Sequence, residues 1–356
     1  MNSKIFIYSL LVAIIMLLFS CRTDIDTVEE CSGVPIVYAI FNDKDAVHYV
    51  RINKSYNGNQ SAYEMGKHPD SILFNVDLDV RVIVFNKKDA VVETLKFEKK
   101  NFPKDSVNSQ GEVVFSDKKH YVYEYKGKLP MVNTTIQKEE EYIYKLEIKL
   151  NNEIIAWSTT KAMQGFRFEK PKEPSGTVAF QNNNYGVAWT PGNYCGAVRT
   201  ELTFHYYEHT TDDKYYVRKI KTLSSGIIIG TGYPFNGQII IDEIKNQIQK
   251  DKTPNVDKRF LGYVEVEYFA ANIDFTEQII LQGATENLNF DGTPMTNIKG
   301  GFGVFGTKTS GKFEAYVSTK GDGHDKFFLG QMKIPPYLFQ YQMAYESLPD
   351  SLKPKK

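Results

Sequence analysis

Alternation of apolar and polar residues at period two runs through most of the chain and predicts a β protein. The clearest stretch sets Tyr142, Tyr144, Leu146, Ile148 and Leu150 against Lys145, Glu147 and Lys149, one apolar face opposite one charged face. Asn151-Asn152 follow, then Ile154-Ile155-Ala156-Trp157, a pattern that predicts a hairpin with a short polar loop. Earlier, Val50 and Ile52 alternate with Arg51 and Asn53. Val80, Val82 and Val84 alternate with Arg81, Ile83 and Phe85, which predicts a strand buried on both faces. Asn57-Gly58 marks a turn. Phe168–Gly176 holds two prolines among charges, cannot continue a central strand, and marks an internal boundary. Arg199–Tyr207, Tyr215–Ile220 and Gly262–Phe269 predict further strands beyond it.

One stretch changes period. Ile240, Ile241, Ile244 and Ile248 have helical spacing, with Asp242-Glu243 early and Lys250 late, the charge order a helix dipole favours. A helix is expected over 239–251, and a second, short one over Thr276–Leu288. Val187-Ala188-Trp189-Thr190-Pro191 resembles the second strand of a fibronectin type III module, in which a Trp enters the core. The expected fold is mainly β: two antiparallel β-sandwich domains, immunoglobulin- or fibronectin III-like, over 35–165 and 166–350. The second carries one or two short helices, and 351–356 is a frayed end.

The amino terminus is of another kind. The apolar run Ile5–Phe19 follows Lys4 and falls short of the ~20 residues a membrane-spanning helix needs. It has the length of a secretory signal's apolar region. It ends Leu18-Phe19-Ser20-Cys21, which looks like the lipobox of bacterial lipoproteins; the alternative is an ordinary signal with a chance Cys. The resemblance implies cleavage before Cys21, acylation of that residue, a signal peptide over 1–20 and a tether over 21–34. No Asp directly follows Cys21, so the inner-membrane retention signal of enteric lipoproteins is missing. Asp24, Asp26, Glu29 and Glu30 resemble the acidic export signals of some surface lipoproteins. The expected location is the outer membrane, lipid-anchored, with either face open.

Composition narrows the partners. Lys plus Arg and Asp plus Glu both number 43, so no basic excess points to nucleic acid. With 42% apolar residues, 23 Tyr and 23 Phe, the chain can bury a sizeable core. Of three Cys, a lipidated Cys21 leaves Cys31 and Cys195, either bridged or as two free thiols. A bridge would close a loop worth about 5 kcal/mol in the chain-entropy model. No Cys-x-x-Cys occurs, which argues against thiol redox chemistry and Cys-type zinc sites.

Motifs that carry chemistry mostly dissolve on inspection. Gly301-Phe302-Gly303-Val304-Phe305-Gly306 satisfies a dinucleotide fingerprint literally, but a turn at Thr309–Lys312 and a strand from Phe313 follow where a helix is required. It is expected to be the first strand of a hairpin, its glycines allowing close packing under large rings. His205 and His209 lie on a predicted strand, where four residues span ~13 Å, too far for one zinc. Gly321–Asp325 offers Asp322, His324 and Asp325, too few ligands for calcium, and reads as a solvated turn. Lys138–Glu141 reads as a solvent-facing edge. The pairs Tyr206-Tyr207 and Tyr215-Tyr216 are each expected to put one ring inside and one outside. No hydrolase elbow, zincin helix or kinase set is present. The reading is of no enzyme, with no catalytic residue, no metal ligand and no cofactor.

Three segments together resemble a family of Gram-negative outer-membrane lipoproteins known as domain of unknown function 4249. They are Pro35–Tyr38 leading into His48–Tyr56, Asp70-Ser71-Ile72 ahead of Val80–Phe85, and Asn297–Gly306. The resemblance implies a lipid-anchored, β-rich envelope protein of the kind found alongside TonB-dependent outer-membrane transporters. The expected function is a non-catalytic accessory or ligand-binding partner of such a transporter, with a structural or adhesive surface protein as the alternative. A hydrolase using Asp322 and Asp325 is a third reading.

Overall fold

The computed structural model describes residues 33–55, 72–101, 121–130, 141–173, 177–178, 184–286, 296–317 and 326–340. The chain is mainly β, and most of its strands join in one long mixed sheet, with three in a second, small sheet. Seven strands come first: β1 (Pro35–Asn42), β2 (Val47–Lys54), β3 (Asp79–Asn86), β4 (Val91–Asn101), β5 (Tyr121–Lys126), β6 (Tyr142–Leu150) and β7 (Glu153–Lys161). They pair in the order β1-β2-β5-β4-β3-β6-β7, each antiparallel to its neighbour. The β6–β7 turn is Asn151-Asn152, both at positive φ (51° and 69°), the geometry that suits the right-handed twist of a two-residue hairpin.

This run of strands curls until its far edge returns. Trp157 and Lys299 exchange backbone hydrogen bonds of 3.0 and 2.8 Å, joining β7 to the segment that enters the last long strand. The alternating apolar residues face inward: Val37, Ala39 and Phe41 meet Val82, Val84, Leu95, Leu146 and Ile148, all fully buried. Ile83 and Phe85 on the opposite face of β3 are half-buried, so that strand is covered completely on one side only. At roughly 1.5–3 kcal/mol per large apolar side chain, this interior is the main stabilising term of the first half.

The second half adds β8 (Arg167–Lys170), β9 (Thr177–Val178), β10 (Asn184–Thr190), β11 (Cys195–Thr210), β12 (Tyr215–Lys219), β13 (Leu223–Ser224) and β14 (Gly232–Asn236). Helix α1 (Gly237–Asp251), β15 (Val256–Asn272), helix α2 (Ile273–Glu286), β16 (Phe302–Val317) and helix α3 (Lys326–Met332) complete the described chain. A small sheet, β14-β10-β8, packs over the long strands β11, β15 and β16. Trp189 of β10 is buried there, and its indole N–H donates to the Gly230 carbonyl at 2.7 Å. Helix α1 starts two residues earlier than its pattern predicts, capped by the Asn236 side chain, and buries Ile240, Ile241, Ile244 and Ile248. Helix α2 begins three residues before the expected Thr276, and α3 carries no sequence signal strong enough to have predicted it.

Two expectations need correction. The sheet is not wholly antiparallel: β1 runs parallel to the first half of β16, and the second half of β16 runs antiparallel to β15. One strand therefore serves both cores; Ile298 and Phe305 sit in the first, Phe313 and Ala315 in the second. The expected turn at Thr309–Lys312 is also absent. Those residues are mid-strand because β15 fixes their backbone from Ala270 to Glu267, and ladder pairing outweighs local turn preference. Gly311, expected in that turn, sits mid-strand because the Tyr268 ring lies where a Cβ would be, whereas Gly301 and Gly303 make room for the Pro35 and Val37 carbonyls rather than for rings. The expected Asn57-Gly58 turn, Asp70-Ser71 and the 351–356 end lie outside the described residues.

At Gly303 the backbone has φ 113°, and an added Cβ would overlap the Val37 carbonyl oxygen of the parallel partner. Gly303→Ala is expected to lower unfolding stability by at least ~3 kcal/mol, read from the midpoint of urea denaturation.

Candidate functional site

The candidate site is built around the start of α2, where the two cores meet. Asn272 ends β15, is fully buried, and its side chain makes every bond an amide can make. Its Oδ1 accepts from the Phe275 amide, capping α2, and from the Thr307 amide of β16, both at 3.2 Å. Its Nδ2 donates to Thr160 Oγ1 at 2.7 Å and to the Lys161 carbonyl at 3.1 Å, both on β7, with Asp274 Oδ2 at 3.3 Å. Thr160 in turn donates to Asp274 Oδ2 at 2.7 Å. Thr307 Oγ1 donates to the Lys161 carbonyl and accepts from the Met163 amide.

Beside this seam lies a cleft of about 390 Å³. Ile143, Thr159, Lys161, Tyr194, Ile273 and Asp274 line it, with Thr160 and Asn272 at its base. Tyr194 stands at φ 61° in the turn between β10 and β11. Its carbonyl accepts the first amide of α2, from Ile273, at 3.0 Å, and Asn193 exchanges two backbone bonds with Gln164. Lys161 Nζ donates to the Tyr194 hydroxyl at 3.2 Å and lies 4.4 Å from the ring centroid, with Glu141 3.9 Å away. That bond to Tyr194 holds the Lys161 ammonium above its ordinary pKa, and burial raises the Tyr194 phenol. Both are protonated at neutral pH, so the arrangement suits holding charge rather than moving protons. A smaller groove, about 240 Å³, runs along the side of α2, floored by Val198, Phe269 and Ala271 and walled by Phe275 and Ile279. Arg199 stacks on Phe269 at 5.0 Å at its edge, and Lys308 completes the rim.

The sequence-derived candidates fall elsewhere. Cys21, Cys31, Asp322, Asp325 and Lys138–Glu140 lie outside the described residues. Cys195 directly follows Tyr194 as a free, half-buried thiol, 4.0 Å from the Ala197 carbonyl. Burial pushes its pKa up to about 11, which leaves little thiolate at neutral pH. His205 stacks on Tyr263 with ring centroids 4.2 Å apart, and burial lowers its pKa. His209 is held between Asp213 (3.0 Å) and Asp257 (2.6 Å). Among the described residues no group of three His, Cys, Asp or Glu is placed to hold a metal ion. Tyr206 and Tyr207 do not divide between inside and outside as expected: both are buried. Tyr206 enters the second core, and Tyr207 lies against Gly262, where the missing Cβ gives its ring room.

A second charged cluster is structural. Glu208 is fully buried; burial alone would raise its pKa, but bonds from Thr253, Arg218 and Arg259 outweigh this and hold it below the ordinary value. Arg259 Nη1 then donates to the Pro336 and Tyr337 carbonyls, tying the chain after α3 to β15. Glu208 and Arg259 are buried, and Arg218 closes the cluster on its partly exposed side.

No family model matches the chain, and no curated protein matches it. Among solved structures, it is similar to a DUF4785 family protein from Legionella pneumophila, at 13% identity and a TM-score of 0.18. That match covers 65% of this chain, and the chain spans about half (51%) of that structure. A likeness this slight carries no argument about fold or function.

Sequence reasoning missed Lys161, Tyr194, Asn272 and Asp274, since no motif joins residues scattered from one strand to a later turn and a later helix start. The one local signal was Asn272, a capping residue type at the junction of an alternating strand and a helix.

Two outcomes follow. Asn272→Ala leaves the Phe275 and Thr307 amides without their acceptor and should cost ~3 kcal/mol in urea denaturation. The bond to Asp213, then that to Asp257, raises the His209 pKa above 6.5. Its stabilisation is therefore complete below pH 6.5 and lost as pH rises through the raised value. The difference in urea midpoint between the natural protein and His209→Gln should be wide at pH 6 and nearly closed at pH 9.

Proposed function

We propose that this protein is a lipid-anchored outer-membrane lipoprotein, a non-catalytic accessory or ligand-binding partner of a TonB-dependent transporter. Its finer architecture we take to be two immunoglobulin-like sandwich units joined through β16. The observation that carries the proposal is the ending Leu18-Phe19-Ser20-Cys21 on the apolar run Ile5–Phe19. An anchor of that kind keeps the mature chain beside the membrane in which such transporters work. The resemblance of Pro35–Tyr56, Asp70–Phe85 and Asn297–Gly306 to lipoproteins found alongside those transporters supports the partner. The cleft beside α2 supports a binding role: it joins a cation, a carboxylate and a hydroxyl without a poised base or nucleophile. Ligand sites favour such junctions between units.

Two measurements test this reading. Radiolabelled palmitate should enter the natural protein and not Cys21→Ala; equal labelling of both contradicts the anchor. Deleting the gene should impair uptake of one nutrient class, and unchanged growth across a broad nutrient panel contradicts the transporter partnership.

A further inference from the structure

The cleft at the start of α2 joins three features that the scaffold alone does not require. Tyr194 is a bulky residue in the left-handed region, a conformation that costs such a residue of order 1–3 kcal/mol and persists only where surroundings fix it. The Gln164–Asn193 bridge and the Ile273 amide fix it, and the outcome is an aromatic wall with its hydroxyl at the cleft. Lys161 lies against that ring while its side chain stays 46% exposed, so its ammonium is positioned and open to solvent, and a ligand carboxylate there takes the place of its long 3.9 Å contact with Glu141. Asp274 is held through Oδ2 alone, by Thr160 and by the fully buried Asn272. Its Oδ1 has no protein donor among the described residues. A fixed cation and a fixed carboxylate therefore share one cleft, and Ile143 and Ile273 supply the apolar wall.

A ligand answering both charges carries a carboxylate and an ammonium close together, beside an aliphatic group. At ~30 Å³ per water-sized group, 390 Å³ holds on the order of a dozen such groups, the size of one amino acid with a few waters. A peptide separates its two end charges along the chain and would meet only one of the protein's. We propose that this cleft binds a free α-amino acid with an aliphatic side chain. Lys161 and the Tyr194 hydroxyl receive its carboxylate, Asp274 Oδ1 receives its ammonium, and Ile143 and Ile273 pack on its side chain. This deepens the binding role proposed above and rests on it only in treating the protein as a binder.

The test is calorimetric titration of the full-length lipoprotein in mild detergent with L-leucine, alongside isocaproate and isoamylamine. These two keep the branched chain and only one charge each. Leucine should bind saturably at one site, and each analogue at least tenfold more weakly. Lys161→Gln should weaken leucine binding at least tenfold; this half-exposed side chain can change without disturbing the fold. Asp274→Asn should do the same, with its thermal melt compared to separate lost binding from lost structure. No saturable heat with leucine, equal affinity for all three compounds, or full affinity in Lys161→Gln would each overturn the proposal. A transporter co-purifying with a protein that ignores leucine overturns this inference and leaves the accessory role standing; leucine binding without a transporter does the reverse.

Discussion

The placement of the two halves depends on one buried side-chain amide. Asn272 faces β7, β16 and the start of α2 at once, and a shift of any of the three breaks a hydrogen bond that water cannot replace. Each such bond contributes only about 1 kcal/mol net when made, but a buried group left unpaired costs about 1–3 kcal/mol. The asymmetry matters more than the sum. The apolar cores supply most of the stability, yet either would tolerate small sliding of the other; the amide network does not. The cleft borders this arrangement: Asn272 and Thr160 hold Asp274 in place, while Tyr194 positions Lys161.

The second constraint is the shared strand. β16 enters parallel to β1 and leaves antiparallel to β15, and it can do so because Gly303 and Gly311 make room for a carbonyl and a ring. Chain from near the carboxyl end thus completes the core formed by the first strands. Pairings this distant in sequence carry a large loop-closure cost before they return contacts, so the first core is expected to form late and slowly.

The local elements were legible because their signals are local. Alternation revealed β6 and β7, the isoleucine spacing revealed α1 nearly to its ends, and Asn151-Asn152 marked its turn. What was lost depends on partners. Thr309–Lys312 has turn residues, but it is held extended by β15, which no window around it contains. Tyr207 is buried although its period points outward, because Gly262 on the neighbouring strand leaves a space for it. The cleft residues come from β6, β7, a turn after β10, the end of β15 and the start of α2, and ordinary residue types at ordinary positions acquire a role only when the sheet closes. The reverse also holds: His205 and His209, conspicuous in sequence, are absorbed by Tyr263 and by Asp213 and Asp257.

The buried Glu208 cluster is spent on structure. Glu208 and its two arginines tie β11 and β15 to the chain after α3, whereas Lys161 and Asp274 face a cleft. That contrast supports the proposed binding role, and the proposed anchor supplies the place to look for a partner. The most direct measurement is to solubilise outer membranes gently, purify the tagged full-length lipoprotein and identify what accompanies it. The account predicts a large β-barrel transporter at near-equal amount. A lipoprotein recovered alone, under conditions that keep known envelope complexes intact, would contradict it and favour a structural or adhesive surface role.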